Sequence, residues 1–307
     1  MSEDKNRDAV NKKRYVKRTD IMSEEKNWDT VIKPKTGWFD IDLKGLFKYK
    51  DLIILFVKRN FTSLYKQTIL GPLWAIIQPF LTTVIFSVVF GSIAGLNDSG
   101  VPDLVFYMIA NITWAYFSSC LISTANTFIG NSAIMGKVYF PRLVMPISTV
   151  LTQLISFAIQ FVFFMCFWVF YLIKGGISPA WGFIAMTPLV ILQMAMLGLG
   201  FGIIVSALTT KYRDLAMLVS FGVQLWMYAT PVAYSSDIVV EKLGHSWESV
   251  YMLNPMTPVI ETMRYAYLGV GTFDLFYYAV SWAVTLVVLF LGVVLFSRVE
   301  KTFMDTV

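Results

Sequence analysis

Residues 143–173 read LVMPISTVLTQLISFAIQFVFFMCFWVFYLI and contain no Asp, Glu, Lys, Arg or His. A bilayer core about 30 Å thick is crossed by roughly 20 apolar residues in an α-helix. A single charge at the centre of such a helix costs about 2.5 to 3.5 kcal/mol on insertion scales. The stretch is therefore predicted to cross a membrane as a helix.

Further stretches of the chain are equally free of charged residues and of histidine. They are residues 67–97, 104–136, 175–210, 215–236 and 275–297. The buried helices of a large soluble protein would still carry one polar stripe, so that class of protein is disfavoured. We therefore expect an all-α membrane protein with six transmembrane helices, in which residues 67–298 form the transmembrane domain.

The distribution of basic residues predicts the orientation of these helices. Of the 25 Lys and Arg residues, 16 precede residue 67, and most of the others lie in the second and fourth connecting loops and the C-terminal tail. Only Lys174, Lys242 and Arg264 fall in the remaining loops. Because basic loops stay on the cytoplasmic side, both termini are expected in the cytoplasm. The net charge of +5 then reflects membrane topology, and nucleic acid is not an expected partner.

The N-terminal region is polar and divides into two parts. Residues 1–37 are rich in Lys, Asp, Glu and Asn, and we expect a disordered cytoplasmic tail. Residues 38–66 carry apolar positions at helical spacing, including Ile53 and Phe56. This pattern predicts an amphipathic helix in the cytoplasmic interface of the membrane; the alternative is a short soluble helix that caps a partner. Residues 299–307 are expected to be a cytoplasmic tail.

The chemistry of the predicted spans excludes several functions. They contain no ionisable side chain to carry a coupling ion, which disfavours secondary transport. A membrane enzyme of lipid-linked sugar synthesis would need carboxylates near one leaflet, and the candidates, such as Asp98 and Glu248, are expected to be solvated loop residues. The segment from Gly130 to Lys137 lacks the spacing and the Ser or Thr of a phosphate-binding loop. We expect no catalytic residue, metal ligand or bound cofactor in this chain.

Aromatic residues are frequent in the spans, and Phe, Trp and Tyr make up 16% of the chain. Trp114, Tyr116, Trp226 and Tyr228 are expected deep in the membrane, and Trp74 near the start of the first span. Such rings either pack between helices or stack on the faces of sugars. These five residues are therefore candidates for a substrate path along which a polymer slides.

The segment at residues 237–273 is too apolar for a loose loop, and Pro255 and Pro258 interrupt it. Two short half-helices that enter the membrane from the outer side, between spans 5 and 6, fit this pattern. Glu261 and Arg264 lie three positions apart on one helical face. Pairing would lower the cost of placing both near the membrane core, and we expect the pair to act as an outer gate.

Several short motifs resemble those of a known family. They are YKQTILGPLW at residues 65–74, GKVYFPR at 136–142, YRD at 212–214, PVAY at 231–234 and NP at 254–255. Their combination resembles the permease subunits of ABC transporters that export bacterial polysaccharides. The resemblance covers roughly residues 38–305.

The resemblance implies a homodimeric exporter in the bacterial inner membrane. Two copies of the chain would rest on two copies of a separate cytoplasmic ATPase, which binds ATP and magnesium. The implied substrate is a lipid-linked glycan. O-antigen is the first candidate, and capsule polysaccharide and teichoic acid are the alternatives.

The resemblance also implies roles for residues on the cytoplasmic side. The residues implied in coupling to the ATPase are Lys137, Tyr139, Phe140, Arg142, Arg213 and Asp214. For residues 137–142 the alternative is an ordinary basic loop. Lys58, Arg59 and Lys66 lie beside the first span, where they either attract the diphosphate of the lipid carrier or contact anionic lipids.

Overall fold

A computed structural model describes residues 48–66, 68–97, 99–127, 130–131, 134, 140–209, 214–236, 238–239 and 244–306, without the side chains of residues 245–248 and 297–306. Over these residues the chain forms helices joined by turns, and no strand occurs among them. The all-helical prediction is therefore confirmed for the described part of the chain. The predicted tail at residues 1–37 lies outside the described residues.

The helices are α1 (Lys50–Tyr65), α2 (Trp74–Phe86), α3 (Asp103–Ala125), α4 (Val144–Ile173), α5 (Trp181–Ile184), α6 (Thr187–Thr209), α7 (Leu215–Tyr228), α8 (His245–Met252), α9 (Met256–Leu268) and α10 (Leu275–Thr306). A 3-10 turn, Gly71–Leu73, leads into α2, and a π-helical turn, Ser87–Ile93, continues it. α10 continues through residues 299–306, the segment predicted as a tail.

Five helical segments are long and apolar enough to cross a membrane. They are Gly71–Ile93, Asp103–Ala125, Val144–Ile173, Thr187–Thr209 and Leu275–Phe296. The predicted span at residues 215–236 contains only the 14-residue helix α7. At 1.5 Å per residue α7 is about 21 Å long, which is shorter than a hydrocarbon core of about 30 Å. After Tyr228 the chain turns instead of continuing the helix.

α3 is the central helix of the described bundle. It packs against α2, α4, α6, α7 and α9, and side chains on most of its faces, including Ile109 and Phe117, are fully buried. A helix that is apolar on all sides is typical of such a position. α2 and α4, in contrast, leave apolar side chains such as Ile85 and Val162 exposed. Apolar surface of this extent marks contact with a membrane or with another protein.

Glycines on α6 allow its two neighbours to approach closely. A β-carbon added at Gly198 would lie 2.7 Å from the β-carbon of Cys120 on α3. One added at Gly200 would lie 2.9 Å from the backbone of Leu289 on α10. Helices in membranes associate mainly through van der Waals contact, which small residues at the interface increase. The glycines therefore hold α6 between α3 and α10.

Candidate functional site

A polar cavity of about 390 Å³ lies between α1, α2, α3 and α4, and Met227 of α7 also lines it. Amide and hydroxyl side chains line it, among them Gln78, Asn111, Ser118, Gln153, Ser156 and Gln160. A second cavity of about 280 Å³ is lined by Asn60, Asn126 and Asn131, and it shares Leu64 and Gln153 with the first. None of the described residues that line either cavity is charged. We refer to the two cavities together as the polar groove.

The polar groove arises because each helix places its polar residues on one face. On α4, Gln153, Ser156 and Gln160 follow one another at spacings of three and four residues, which puts them on one side of the helix. On α2, Trp74 and Gln78 are four residues apart and lie on one face. The sequence interpretation considered charges and aromatic rings and missed this groove. Amides at helical spacing inside uncharged spans were the signal that could have revealed it.

Some polar groups of the groove bond to one another across helices. Gln153 Nε2 donates to Ser123 Oγ on α3 at 3.0 Å, and Asn111 Nδ2 donates to Thr83 Oγ1 on α2 at 3.2 Å. Gln160 Oε1, in contrast, is buried and has no hydrogen-bond partner among the described residues. A buried acceptor without a partner costs about 1 to 3 kcal/mol. Gln160 Oε1 is therefore an acceptor whose hydrogen-bonding capacity the described residues leave unused.

The location of the polar groove restricts what it can hold. Three of the five helices that line it belong to segments long and apolar enough to cross a membrane. Lipid tails offer no hydrogen bonds, so amides and hydroxyls that faced them would be left unsatisfied. Polar residues in membrane spans accordingly face the protein interior or a water-filled cavity. The amides and hydroxyls of the polar groove therefore suit water or a hydroxyl-rich molecule.

Two of the five predicted path residues line the polar groove. Trp74 is 46% exposed and Trp114 is 5% exposed, and both border the larger cavity. Tyr116 instead packs against a phenylalanine of α4, with 5.0 Å between ring centres. The ring centre of Trp226 lies 6.0 Å from that of Trp114, away from the larger cavity, and Tyr228 is half exposed at the end of α7.

The predicted phosphate-contacting residues Lys58, Arg59 and Lys66 are all exposed. Arg59 is held beside the polar groove, because its Nη2 donates at 2.9 Å to Oδ1 of Asn131, which lines the smaller cavity. The guanidinium carbon also lies 4.7 Å from the ring centre of Phe56. Nε and Nη2 of Arg59 also donate to Asn60 Oδ1, at 3.2 and 2.9 Å, so an anionic group would bind to the remaining donors of this exposed guanidinium.

Glu261 and Arg264 form an ion pair inside the protein, with 3.4 Å between Oε1 and Nη1 and 1% exposure of each side chain. Arg264 also donates to the carbonyl oxygens of Val232 at 3.1 Å and Tyr234 at 3.0 Å. Its guanidinium carbon lies 3.9 Å from the ring centre of Phe106. The predicted pairing is therefore present, and the pair is fixed by additional partners on α3 and after α7.

Asn254 binds the other side of the turn that follows α7. Its Oδ1 accepts a hydrogen bond from Trp226 Nε1 at 3.1 Å. Its Nδ2 donates to Thr230 Oγ1 at 2.9 Å and to the Ala229 carbonyl at 3.1 Å. The last carbonyls of a helix need partners outside the helix, and Asn254 and Arg264 supply such partners here. The turn can therefore lie inside the protein.

Of the described coupling residues, Phe140 lies where α1 meets the segment that leads into α4. Phe140 is buried, with its ring centre 5.8 Å from that of Phe56 on α1. Arg142 is partly buried, and Asp214 is exposed directly before α7. The other three predicted coupling residues, Lys137, Tyr139 and Arg213, lie outside the described residues.

Among the described residues, no three His, Cys, Asp or Glu side chains come together as a metal site. Cys120 is buried and Cys166 is exposed, and both are free thiols.

Comparison with known families matches residues 51–268 to the ABC-2 type transporter family. The chain belongs to the ABC-2 type transporter family. The matched range of this ABC-2 transporter chain contains every described residue that lines the polar groove, as well as Glu261 and Arg264.

Relatives of this ABC-2 transporter chain carry export names. The "O-antigen export system permease protein RfbA" of Klebsiella pneumoniae is 27% identical over 256 residues, which are 83% of this chain and 94% of the relative. A protein of the same name from Myxococcus xanthus is 27% identical over 223 residues, which are 72% of this chain and 82% of the relative. These similarities confirm the predicted resemblance to permeases of polysaccharide exporters.

Proposed function

We propose that this chain is the permease of an ABC exporter that moves a lipid-linked polysaccharide, with O-antigen as the first candidate, across the bacterial inner membrane. The observation that carries the proposal is the similarity to O-antigen export permeases over most of their length. The polar groove supports it, because amides and hydroxyls beside Trp74 and Trp114 suit a sugar polymer. The five long apolar helices agree with a membrane location.

The proposed complex contains two copies of this chain and two copies of a cytoplasmic ATPase. Membership in an ABC transporter family supports the ATPase partner. ATP and magnesium would bind to that partner, since the sequence of this chain lacks a phosphate-binding loop. Residues 137–142, with Arg213 and Asp214, would dock on the ATPase. Phe140, buried against Phe56, would hold this segment on α1.

The proposed topology has six crossings, with both termini in the cytoplasm. The five long helices supply five crossings, and α7 together with the turn after Tyr228 supplies the sixth. Non-helical backbone at membrane depth must be satisfied by protein groups, and Asn254 and Arg264 bind this turn. α8 and α9 would then be the outer half-helices, with the Glu261–Arg264 pair holding the outer gate closed.

The proposed organisation keeps the boundaries read from the sequence. Residues 1–37 and 299–307 are cytoplasmic tails, residues 38–66 form the interface region that contains α1, and residues 67–298 form the transmembrane domain. In this arrangement Lys58, Arg59 and Lys66 lie at the cytoplasmic surface. They would bind the diphosphate that joins the glycan to its lipid carrier.

Deletion of the gene for this chain tests the proposed function. The lipid-linked polymer should accumulate inside the cell and disappear from the surface, and a plasmid copy should restore it. The accumulated polymer identifies the substrate as O-antigen, capsule or teichoic acid. Unchanged surface glycans of all three classes would contradict polysaccharide export.

A further inference from the structure

We infer that the polar groove is a binding subsite for uncharged sugar units, carried within each copy of the chain, in which Gln153 and Gln160 hydrogen-bond sugar hydroxyls. The inference rests on the proposed function. It goes beyond the proposed function in two respects: the glycan segment that the protein holds is uncharged, and Gln153 and Gln160 recognise it.

The hydrogen-bonding groups of the groove match those of a neutral sugar. A carboxamide donates and accepts, as a sugar hydroxyl does, whereas a carboxylate only accepts. Gln160 lines the larger cavity, and its buried Oε1 has no hydrogen-bond partner among the described residues, so a rotation of the amide would present an unused acceptor to a sugar hydroxyl. Gln153 borders both cavities, and its bond to Ser123 orients its amide at their junction. A chain of sugars that spans both cavities would pass this amide.

The lining also selects against charge. A carboxylate that leaves water without a cationic partner loses far more free energy than a hydroxyl does. The described lining residues offer it no cation, and Arg59 lies beside the smaller cavity only. An acidic sugar would therefore be held back beside Arg59, whereas a neutral sugar can move on to Gln160.

Two indole rings complete the site. Trp74 and Trp114 border the same cavity as Gln160, and Trp114 is held in place by Trp226, 6.0 Å away between ring centres. The apolar faces of neutral sugars stack on such rings, while their hydroxyls remain free to bond at the edge. The groove thus presents stacking surfaces and amides to the same ligand.

Alkylation of a cysteine placed in the groove tests the charge selectivity. The full chain with its ATPase partner is reconstituted in lipid nanodiscs, with Cys166→Ser and with Ser119→Cys in the lining of the larger cavity. The probes are iodoacetamide, which is neutral, and iodoacetate, which is similar in size and charged. Thr272→Cys, on an exposed loop, provides the reference rates for each reagent. The chain with Cys166→Ser alone shows the background from the buried Cys120.

Each labelling rate is divided by the rate of the same reagent at the thiol introduced by Thr272→Cys. After this normalisation we expect iodoacetamide to label the thiol introduced by Ser119→Cys about tenfold faster than iodoacetate, because the charged reagent must leave water. Millimolar maltoheptaose should slow the labelling, whereas an oligogalacturonate of the same length should not. Gln153→Leu and Gln160→Leu should each weaken the protection about fivefold, the effect of one neutral hydrogen bond. If either variant fails to fold, Gln78→Leu on the exposed face of α2 replaces it.

Three results would overturn the inference: equal normalised rates for the two reagents, equal protection by the acidic oligosaccharide, or no protection by maltoheptaose. The last result would identify the groove as a water-filled space only. Surface glycan is measured on the same variants in cells. If the groove fails these tests while deletion of the gene still abolishes surface glycan, the proposed function stands without the subsite.

Discussion

The guanidinium carbon of Arg264 lies 3.9 Å from the ring centre of Phe106, and the same guanidinium donates to the carbonyls of Val232 and Tyr234. A cation over an aromatic face contributes about 2 kcal/mol or more when it is desolvated. Arg264 therefore connects α9 with α3 and with the turn that follows α7. The Glu261 carboxylate balances its charge inside the protein.

Arg264→Met should lower the free energy of unfolding by about 3 to 5 kcal/mol, because Glu261 then loses its charge partner inside the protein. Arg264→Lys should restore little of this, since an ammonium group lacks the fork of donors. The double variant E261M/R264M removes both charges but leaves the carbonyls of Val232 and Tyr234 without this donor, so we expect an intermediate stability. Thermal unfolding of the purified chain measures the order. Complete recovery in the double variant would show that the carbonyl bonds contribute little.

Gly200→Ala should destabilise the contact of α6 with α10 by about 1 to 3 kcal/mol, because the added methyl group meets the backbone of Leu289. Gly222 is the matched control, since it lies in α7 with open space at the corresponding position. Gly222→Ala should keep the melting temperature or raise it, through a gain in helix propensity of up to about 1 kcal/mol. Equal losses in the two variants would mean that the close contact is not the cause.

Tyr139→Ala combined with Phe140→Ala should weaken binding of the ATPase by about 2 kcal/mol or more, because it removes a ring proposed to dock on the ATPase together with the buried ring that holds the docking segment on α1. Co-purification with the ATPase measures the binding, and membrane insertion should be unchanged. Phe56→Ala is the control, because it removes the packing of Phe140 on α1 without touching residues 137–142. Wild-type binding in the double variant would move the docking site elsewhere.

Trp74→Leu should reduce export of the glycan more than it reduces stability, because this ring is half exposed and borders the polar groove. Tyr116→Leu should do the opposite, since that ring is buried against α4 and its loss costs about 1 to 5 kcal/mol of packing. Melting temperature and surface glycan are compared for both variants. Proportional losses of export and stability in Trp74→Leu would assign that ring to packing.

The five long spans could be predicted from the sequence because the cost of a charge in hydrocarbon depends on composition within one segment. The helical spacing of Glu261 and Arg264 likewise predicted their pairing, since both lie on one turn of α9. The stretch at residues 215–236 is also uncharged, but its helix ends at Tyr228. Composition alone did not reveal that α7 ends at Tyr228. The turn after Tyr228 is held by Asn254 and Arg264, which come from distant parts of the chain.

The sequence by itself determined that this chain is helical, apolar and suited to a membrane, because these properties follow from the solvation of each segment. Only the tertiary structure decided which polar side chains share a cavity. Asn111 and Gln153 lie on different helices, and packing of α1, α2, α3 and α4 brings their faces to one groove. The tertiary structure also decided the roles of the aromatic residues. Trp74 and Trp114 line the groove, whereas Tyr116 packs against α4. Helical periodicity fixes the face on which a residue lies, but contacts between helices decide what that face meets.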